Sequence, residues 1–308
     1  MNPHNPLLIA ELGATKARLA ITVDNISFIK QVNYYIKEFN TVEAIFKNYL
    51  NKINISVKKA IIGVAAPITG DEVAFVNLDL KFSQSNLKES IFQESLLVLN
   101  DVELQAYGIE SLDREKIFII GNQKKPLSQS KVLVSPGTGL GLAGIVGGIV
   151  TPTEAGHLNI PANLPKLSSI VKKFQTEKNR MPIFEDFLSG KGINYIYRHL
   201  SKSKLKPYSN EEILSKNEDP DCNKTKYLMQ YLLAVYLRYM ALIWGATGGV
   251  YLSGSIVNSL LQEANFKQFR DDFEDSPTMN SLLIEIPIFL IKELNLGFKG
   301  ALKLASSS

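Results

Sequence analysis

The hydrophobic period of this chain changes several times within its first hundred residues. Three apolar stretches with tight turns between them open the chain, at 7–10, 17–23 and 26–35. From Thr41 the apolar residues recur instead on one face of a helix. Short apolar runs at 58–66 and 96–99 are typical of strands covered on both faces, and a hairpin through 69–72 and a helix at 83–92 separate them. The order β-β-β-α-β-α-β predicts an α/β sheet with an antiparallel flank.

The remainder of the chain repeats this alternation. We predict strands at 116–120, 131–135, 142–150, 250–252 and 286–291. We predict helices at 166–176, 190–200, 209–216 and 225–246, another from Ile256, and a last one near 299–304. The polar segment 201–226 is expected to be an exposed excursion.

Composition excludes several classes of protein. A length of 308 residues allows two domains, and 45% hydrophobic with 21% charged residues excludes a disordered or fibrous chain. A net charge of +4, evenly spread, predicts no nucleic-acid partner. The single cysteine, Cys222, allows neither an intramolecular disulfide nor a cysteine-based zinc site. The apolar stretch 227–244 contains Gln230 and Arg238 and is expected to be a buried helix, so we predict no membrane partner. We also predict a cytoplasmic protein without a signal peptide.

Three glycine-containing turns follow predicted strands. They read ELGATKAR at 11–18, GTGLG at 137–141 and GGVYLSGS at 248–255. Glycine lets backbone N–H groups approach an anion, because no Cβ is in the way. Turns also need glycine for conformation alone, and none of the three has P-loop or Rossmann spacing. Their number indicates a phosphate-binding chain more strongly than any single turn does.

A polar pair, Asn100-Asp101, follows the predicted strand at 96–99. Open α/β sheets place ligand-binding groups at the carboxyl ends of strands. An aspartate there can take the proton from a hydroxyl that attacks phosphorus, and an asparagine can hydrogen bond to neighbouring hydroxyls. The pair would equally serve as the N-cap of a following helix, and the residues alone leave both interpretations open.

Two further polar groups are candidates for sugar binding. Glu154 and His157 flank a glycine, and together they offer acceptors and a donor to adjacent hydroxyls. Glu185-Asp186 precedes a glycine-bounded turn. A satisfied structural histidine and an ordinary helix end are the alternatives.

Taken together, the motifs resemble the bacterial glucokinase family of the hexokinase/actin-like ATPase superfamily. The resemblance runs from Leu8 to Leu304. The stretches that carry it are APITGD at 66–71, VN at 76–77, ND at 100–101, GTGLG at 137–141, EAGH at 154–157, LSGKG at 188–192 and GGVY at 248–251.

The resemblance implies a two-domain actin-like ATPase (ribonuclease H-like) α/β fold with an interdomain cleft. The smaller domain would comprise residues 1–108 and 297–308, and the larger one residues 109–296. The implied activity is ATP-dependent phosphorylation of glucose, or a related hexose, at the 6-hydroxyl, with Mg²⁺ accompanying ATP. The resemblance also implies a homodimer.

The resemblance assigns residues by position in the motifs. Asp101 matches the general base. The sugar-binding positions are Asn77, Asn100, Glu154, His157 and Glu185. The nucleotide-binding positions are Gly13, Thr15, Lys16, Gly137, Thr138, Gly139, Gly249 and Gly254. Glu11 matches the carboxylate that would bind Mg²⁺.

The chain departs from the family in the first glycine turn. Where the family has Asp-x-Gly-Gly-Thr-Asn, this chain has Glu11, Ala14 and Lys16 at the first, fourth and sixth positions. Glutamate extends the carboxylate by one methylene, and Mg²⁺ tolerates little geometric error. The alternative function is therefore a sugar-binding homologue, a sensor or regulator, with weak or no kinase activity.

Overall fold

The structure is a computed structural model that describes residues 6–76, 78–121, 126–201 and 208–307. The described residues divide into two compact units. The first unit comprises those up to Asp113 together with those from Asn295 onward, and the second runs from Arg114 to Leu294.

Strands and helices alternate along both units. The strands are β1 (Leu7–Leu12), β2 (Lys16–Thr22), β3 (Ile29–Tyr35), β4 (Lys59–Val64), β5 (Glu72–Ala74), β6 (Lys81–Ser83), β7 (Ser95–Asn100), β8 (Ile117–Ile120), β9 (Lys131–Pro136), β10 (Leu140–Val146), β11 (Ile149–Thr153), β12 (Val250–Leu252) and β13 (Ile288–Ile291). The α-helices are α1 (Val42–Ile53), α2 (Gln84–Ser90), α3 (Asp101–Tyr107), α4 (Ser168–Lys178), α5 (Phe184–Phe187), α6 (Gly190–Leu200), α7 (Asn210–Ser215), α8 (Pro220–Ile243), α9 (Ser255–Leu260), α10 (Phe266–Glu274), α11 (Asn280–Glu285) and α12 (Leu296–Ser307).

The first unit is built on a sheet with the strand order β3-β2-β1-β4-β7. The pairs β1–β2 and β2–β3 are antiparallel, whereas β1, β4 and β7 are parallel. This is the α/β sheet with an antiparallel flank that the sequence predicted. One face is covered by α1 through Phe46 and Tyr49, and the other by α3 and α12 through Leu104 and Phe298. The parallel strands end at one edge, which places the residues after β1 and β7 close together.

The second unit contains a sheet with the order β11-β10-β9-β12-β13-β8. Its central strands β9, β12 and β13 are parallel, and β8, β10 and β11 pair antiparallel at the two sides. The long helix α8 is a core helix, as predicted, with Leu232, Leu233 and Tyr236 fully buried. In the part of the chain that is described, no helix has the length and hydrophobicity needed to cross a membrane.

Some predicted elements were wrong. The stretch 142–150 is a hairpin rather than one strand, because Gly147 and Gly148 have φ of 59° and 81° and turn the chain between β10 and β11. The predicted hairpin through 69–72 is also displaced, since the paired strands β5 and β6 enclose residues 75–80.

The helices of the second unit also differ in part from the predictions. Helix α8 begins at Pro220, where the side chain of Asp219 caps it, five residues before the predicted start at 225. The sequence analysis missed α10 and α11. Within the predicted excursion 201–226, residues 202–207 lie outside the described residues, and α7 buries Ile213 and Leu214 in the core.

Candidate active site

The first glycine turn is a tight hairpin between β1 and β2. The N–H of Gly13 donates to the carbonyl of Lys16 at 3.0 Å. Ala14 is not among the described non-glycine residues with positive φ, so its Cβ causes no backbone strain. Thr15 and Lys16 are exposed, and the Lys16 ammonium lies 5.6 Å from the centroid of the Tyr35 ring. The turn therefore presents a hydroxyl and a cation at the surface of the first unit.

Glu11 is bound to groups of its own unit. Its Oε2 accepts a hydrogen bond from Arg18 Nη1 at 2.9 Å, and its carboxylate accepts the backbone N–H of Gly297 in the first turn of α12. Arg18 also donates to the side chain of Asn295, and its guanidinium lies 5.1 Å from the centroid of the Phe298 ring. A Cβ at position 297 would collide with Glu11 Oε1. Glu11 thus links β1 to the start of α12.

Burial perturbs the Glu11 carboxyl. The pKa of Glu11 is raised to about 7, mainly by burial and also by the charge of Asp101, while Arg18 and the Gly297 N–H oppose the shift. Mg²⁺ demands close to ideal octahedral geometry from its oxygen ligands. Among the described residues, no group of three His, Cys, Asp or Glu side chains is placed to hold a metal ion. Glu11 already accepts two hydrogen bonds within its own unit, and its role as a Mg²⁺ ligand stays a prediction.

Asn100 and Asp101 join β7 to α3. Asn100 Oδ1 accepts the backbone N–H groups of Val102 and Glu103 at 2.9 and 3.2 Å, so Asn100 is the N-cap, one of the two interpretations left open. Its Nδ2 donates to the carbonyl of Ala66 at 3.3 Å. Asp101 is the first residue of α3 and is half-buried. The parallel strands bring Glu11 and Asp101 to the same edge of the sheet.

Asn77, the remaining sugar-binding position predicted in the first unit, lies outside the described residues.

The second glycine turn, which we call the phosphate loop (137–139), is attached at both ends to the α5–α6 segment. The carbonyl of Gly137 accepts the N–H of Gly190 at 2.9 Å, and Glu185 Oε2 accepts the N–H of Leu140 at 2.9 Å. A Cβ on Gly139 would lie 2.7 Å from Glu185 Oε2, whereas a Cβ on Gly137 would have no atom within 4 Å. A side chain at position 139 would therefore displace the Glu185 carboxylate.

The turn after β11 brings Glu154 and His157 to the same region. His157 Nε2 lies 3.8 Å from Glu154 Oε2, and both side chains are exposed. Gly156 packs against the carbonyl of Leu140, with no space for a Cβ. The backbone of Leu140 thus contacts Glu185 on one side and the Glu154–His157 turn on the other.

A cavity of about 880 Å³ lies beside these groups, and we call it the sugar-side cavity. His157, Asn159 and Glu185 line it together with Lys191 and Tyr195, whereas Glu154 is not among its described lining residues. These side chains supply donors and acceptors suited to sugar hydroxyls.

The acidic pair 185–186 has two separate roles. Asp186 forms a bidentate pair with Arg180, at 2.7 Å for both contacts, and accepts the N–H of Ile183 at 2.8 Å. Asp186 holds the segment in place, while Glu185 contacts the phosphate loop.

A second cavity, of about 540 Å³, borders the phosphate loop, and we call it the loop-side cavity. It is lined by Thr138, Gly190, Lys191, Asn194, Tyr195, Arg198 and Asn210. The sequence analysis did not assign Lys191, Asn194 or Arg198. Lys191 belongs to the LSGKG motif at 188–192, and Asn194 and Arg198 follow it by three and seven residues, which was the available sequence evidence.

In the third glycine turn, the two predicted nucleotide-binding residues, Gly249 and Gly254, lie far apart. Strand β12 pairs parallel with β9, with Leu252 opposite Val134, so Gly254 lies next to the phosphate loop. A Cβ on Gly254 would lie 3.1 Å from the carbonyl of Pro136. Gly249 precedes the strand and lies at its opposite end. Its φ of +120° and the Phe289 ring, 2.6 Å from a Cβ at this position, account for the glycine, and the structure does not bring Gly249 to the phosphate loop.

Comparisons with known proteins identify similar sequences and a similar fold. A family model described as Glucokinase matches residues 8–308. A curated glucokinase of Tolumonas auensis is 32% identical, with 96% of this chain and 95% of the relative covered. The crystal structure of a glucokinase from an Antarctic psychrotroph has a TM-score of 0.81 at 24% identity, with 99% of both chains covered.

A more distant solved structure has the same architecture. A ROK family glucokinase from Streptomyces griseus, in complex with glucose and AMPPNP, has a TM-score of 0.68 at 14% identity, with 99% of this chain and 100% of that chain covered. The fold is the actin-like ATPase fold that the motifs predicted.

Proposed function

This chain belongs to the glucokinase family, and we propose that it transfers the terminal phosphoryl group of ATP to the 6-hydroxyl of glucose. The observation that carries the proposal is the hydrogen bond between Glu185 and the N–H of Leu140. It fixes a carboxylate of the sugar-side cavity to the end of the phosphate loop. Phosphoryl transfer depends mainly on positioning and charge stabilisation, so a rigid link of this kind is what the reaction needs.

Each group has a role in the proposed reaction. The 6-hydroxyl oxygen forms a bond to the terminal phosphorus while the bond from phosphorus to the bridging oxygen of ATP breaks, and ADP leaves. Asp101 takes the hydroxyl proton, which contributes about 10²–10⁴-fold. Asn77, Asn100, Glu154, His157 and Glu185 bind the sugar hydroxyls.

The nucleotide is proposed to bind at the glycine turns. Gly13, Thr15 and Lys16 in the first unit, and Gly137, Thr138, Gly139 and Gly254 in the second, are the proposed contacts. The ATP analogue AMPPNP in the Streptomyces griseus enzyme supports ATP as the donor. Mg²⁺ would accompany ATP as part of the substrate, and Glu11, which accepts hydrogen bonds from Arg18 and Gly297, would be the carboxylate that binds it.

We also propose that the two units are the two domains expected at 1–108 with 297–308 and at 109–296. The expected homodimer rests on the family resemblance, and sedimentation velocity of the purified protein tests it.

A coupled assay of glucose phosphorylation tests the proposed function. We expect Asp101→Asn to lower kcat by about 10²–10⁴-fold while glucose affinity, measured by calorimetry, stays within a few-fold. Glu103→Gln, on the same helix and also half-buried, is the matched control and should retain turnover. Wild-type turnover no faster than that of Asp101→Asn would refute the kinase function.

One observation favours a second function, a sugar-binding homologue with little transfer activity. Glu11 is held by Arg18 and Gly297 rather than presented to a metal. Calorimetric glucose binding by a protein without turnover would support this second function, and the absence of any binding heat would refute it.

A further inference from the structure

Two cavities of the second unit share a wall. Lys191 and Tyr195 line both the sugar-side cavity, with His157 and Glu185, and the loop-side cavity, with Thr138. A phosphoryl group that is transferred from a donor at the phosphate loop to a sugar beside Glu185 would lie next to these two side chains.

The loop-side cavity has the charge of an anion site. Lys191 and Arg198 contribute two cations, and Thr138, Asn194 and Asn210 contribute hydroxyl and amide groups. No carboxylate is among its described lining residues. Ammonium and guanidinium groups are the side chains that bind phosphate best, the first as a point charge and the second as a planar fork.

The shared wall is held rigidly by its neighbours. Lys191, Asn194, Tyr195 and Arg198 are three, four and seven residues apart, so they lie on one face of α6. The Tyr195 ring stacks on Phe187, with centroids 5.7 Å apart and planes 14° apart. Its hydroxyl donates to Glu177 at 2.9 Å.

The start of the helix is also fixed, because Ser189 caps it and the N–H of Gly190 donates to the phosphate loop. The Lys191 backbone is therefore preorganised relative to the loop.

We propose that Lys191 binds the phosphoryl group that is transferred, first as the terminal phosphate of the nucleotide and then as the phosphate of the sugar product. Arg198, which lines the loop-side cavity alone, contacts the nucleotide alone. Lys191 stands at the unspecified position of the LSGxG motif, so the motif itself does not require a cation there. The proposal rests on the proposed function, since it assumes a phosphorylated sugar as product.

Calorimetry with three probes separates the roles of the cations. The probes are glucose, AMPPNP and glucose 6-phosphate, and the variants are Lys191→Met, Arg198→Met and Lys172→Met. Lys172 lies on α4, is exposed like Lys191 and is not among the described lining residues of either cavity, so it is the control for loss of one charge.

We expect Lys191→Met to weaken the binding of AMPPNP and of glucose 6-phosphate each by about tenfold. This is the lower end of the range for a hydrogen bond between charged groups, because the Lys191 side chain is exposed. The glucose affinity of Lys191→Met should change by less than about twofold. Arg198→Met should weaken the binding of AMPPNP alone, and Lys172→Met should change none of the three affinities by more than about twofold. Lys191→Arg should restore most of the loss.

Two outcomes overturn the proposal. In the first, Lys191→Met binds glucose 6-phosphate as the wild type does. In the second, Lys172→Met weakens the binding of the phosphorylated probes as much as Lys191→Met does, which would mean a diffuse electrostatic effect. A wild type without turnover that still shows the expected binding pattern refutes the kinase function but not the phosphate contact. Thermal unfolding of each variant confirms that it is folded.

Discussion

Gly139→Ala should weaken glucose binding although position 139 belongs to the phosphate loop. The Cβ of alanine would lie 2.7 Å from Glu185 Oε2, and an ordinary contact needs at least 3.4 Å. The carboxylate must therefore retreat by about 0.7 Å. It lies at the end of a flexible side chain, so it moves rather than the backbone, and its hydrogen bond from the Leu140 N–H is lost or stretched.

The size of the effect follows from the contact to the sugar that we propose for Glu185. A hydrogen bond to a charged group contributes about 1.5–3 kcal/mol, and this bond is directional. A carboxylate displaced by more than half an ångström loses most of that contribution. We expect the glucose dissociation constant to rise by about 10–100-fold, since each 1.4 kcal/mol is a factor of ten.

Calorimetric titration of glucose in the absence of nucleotide is the assay. Gly137→Ala is the matched control, because its Cβ meets no atom within 4 Å, and its glucose affinity should equal that of the wild type. Equal glucose affinity in Gly139→Ala and the wild type would refute the link between the phosphate loop and the sugar site. A loss of the same size in both variants would show that the loop tolerates no side chain, and would refute the specific role of Glu185.

Two further predictions concern Glu11. Gly297→Ala should lower the free energy of unfolding, measured in urea, by about 1–3 kcal/mol, because the alanine Cβ collides with Glu11 Oε1. Adding Glu11→Ala to this variant should remove most of that loss of stability, and strictly additive losses would contradict the collision. Because burial raises the pKa of Glu11 from 4.5 to about 7, its protonation stabilises the folded state fully below pH 4.5, and this stabilisation is lost as the pH rises through 7. The free energy of unfolding should therefore fall more between pH 5 and pH 8 in the wild type than in Glu11→Gln, and equal pH dependences would show that Glu11 does not titrate in this range.

Local patterns predicted those elements of the fold that are locally encoded. A helix from Thr41 and another at 190–200 were predicted from the hydrophobic period, and the structure has α1 (Val42–Ile53) and α6 (Gly190–Leu200) there. The strand predicted at 142–150 was wrong because two glycines with positive φ lie inside an apolar run, where hydrophobic neighbours mask their turn. Helix α10 was missed although Phe266, Phe269 and Phe273 lie on one helical face, and α11 spans only six residues.

The sequence by itself determined most of the elements, the family and the candidate residues, because motif spacing and hydrophobic period are properties of neighbours along the chain. Only the tertiary structure decided what those residues contact. It brought Gly297 to Glu11 and Glu185 to Leu140, and it placed Gly249 and Gly254 at opposite ends of one strand. Strand pairing, desolvation and close packing join residues that are distant in the chain, and spacing along the chain carries no measure of them.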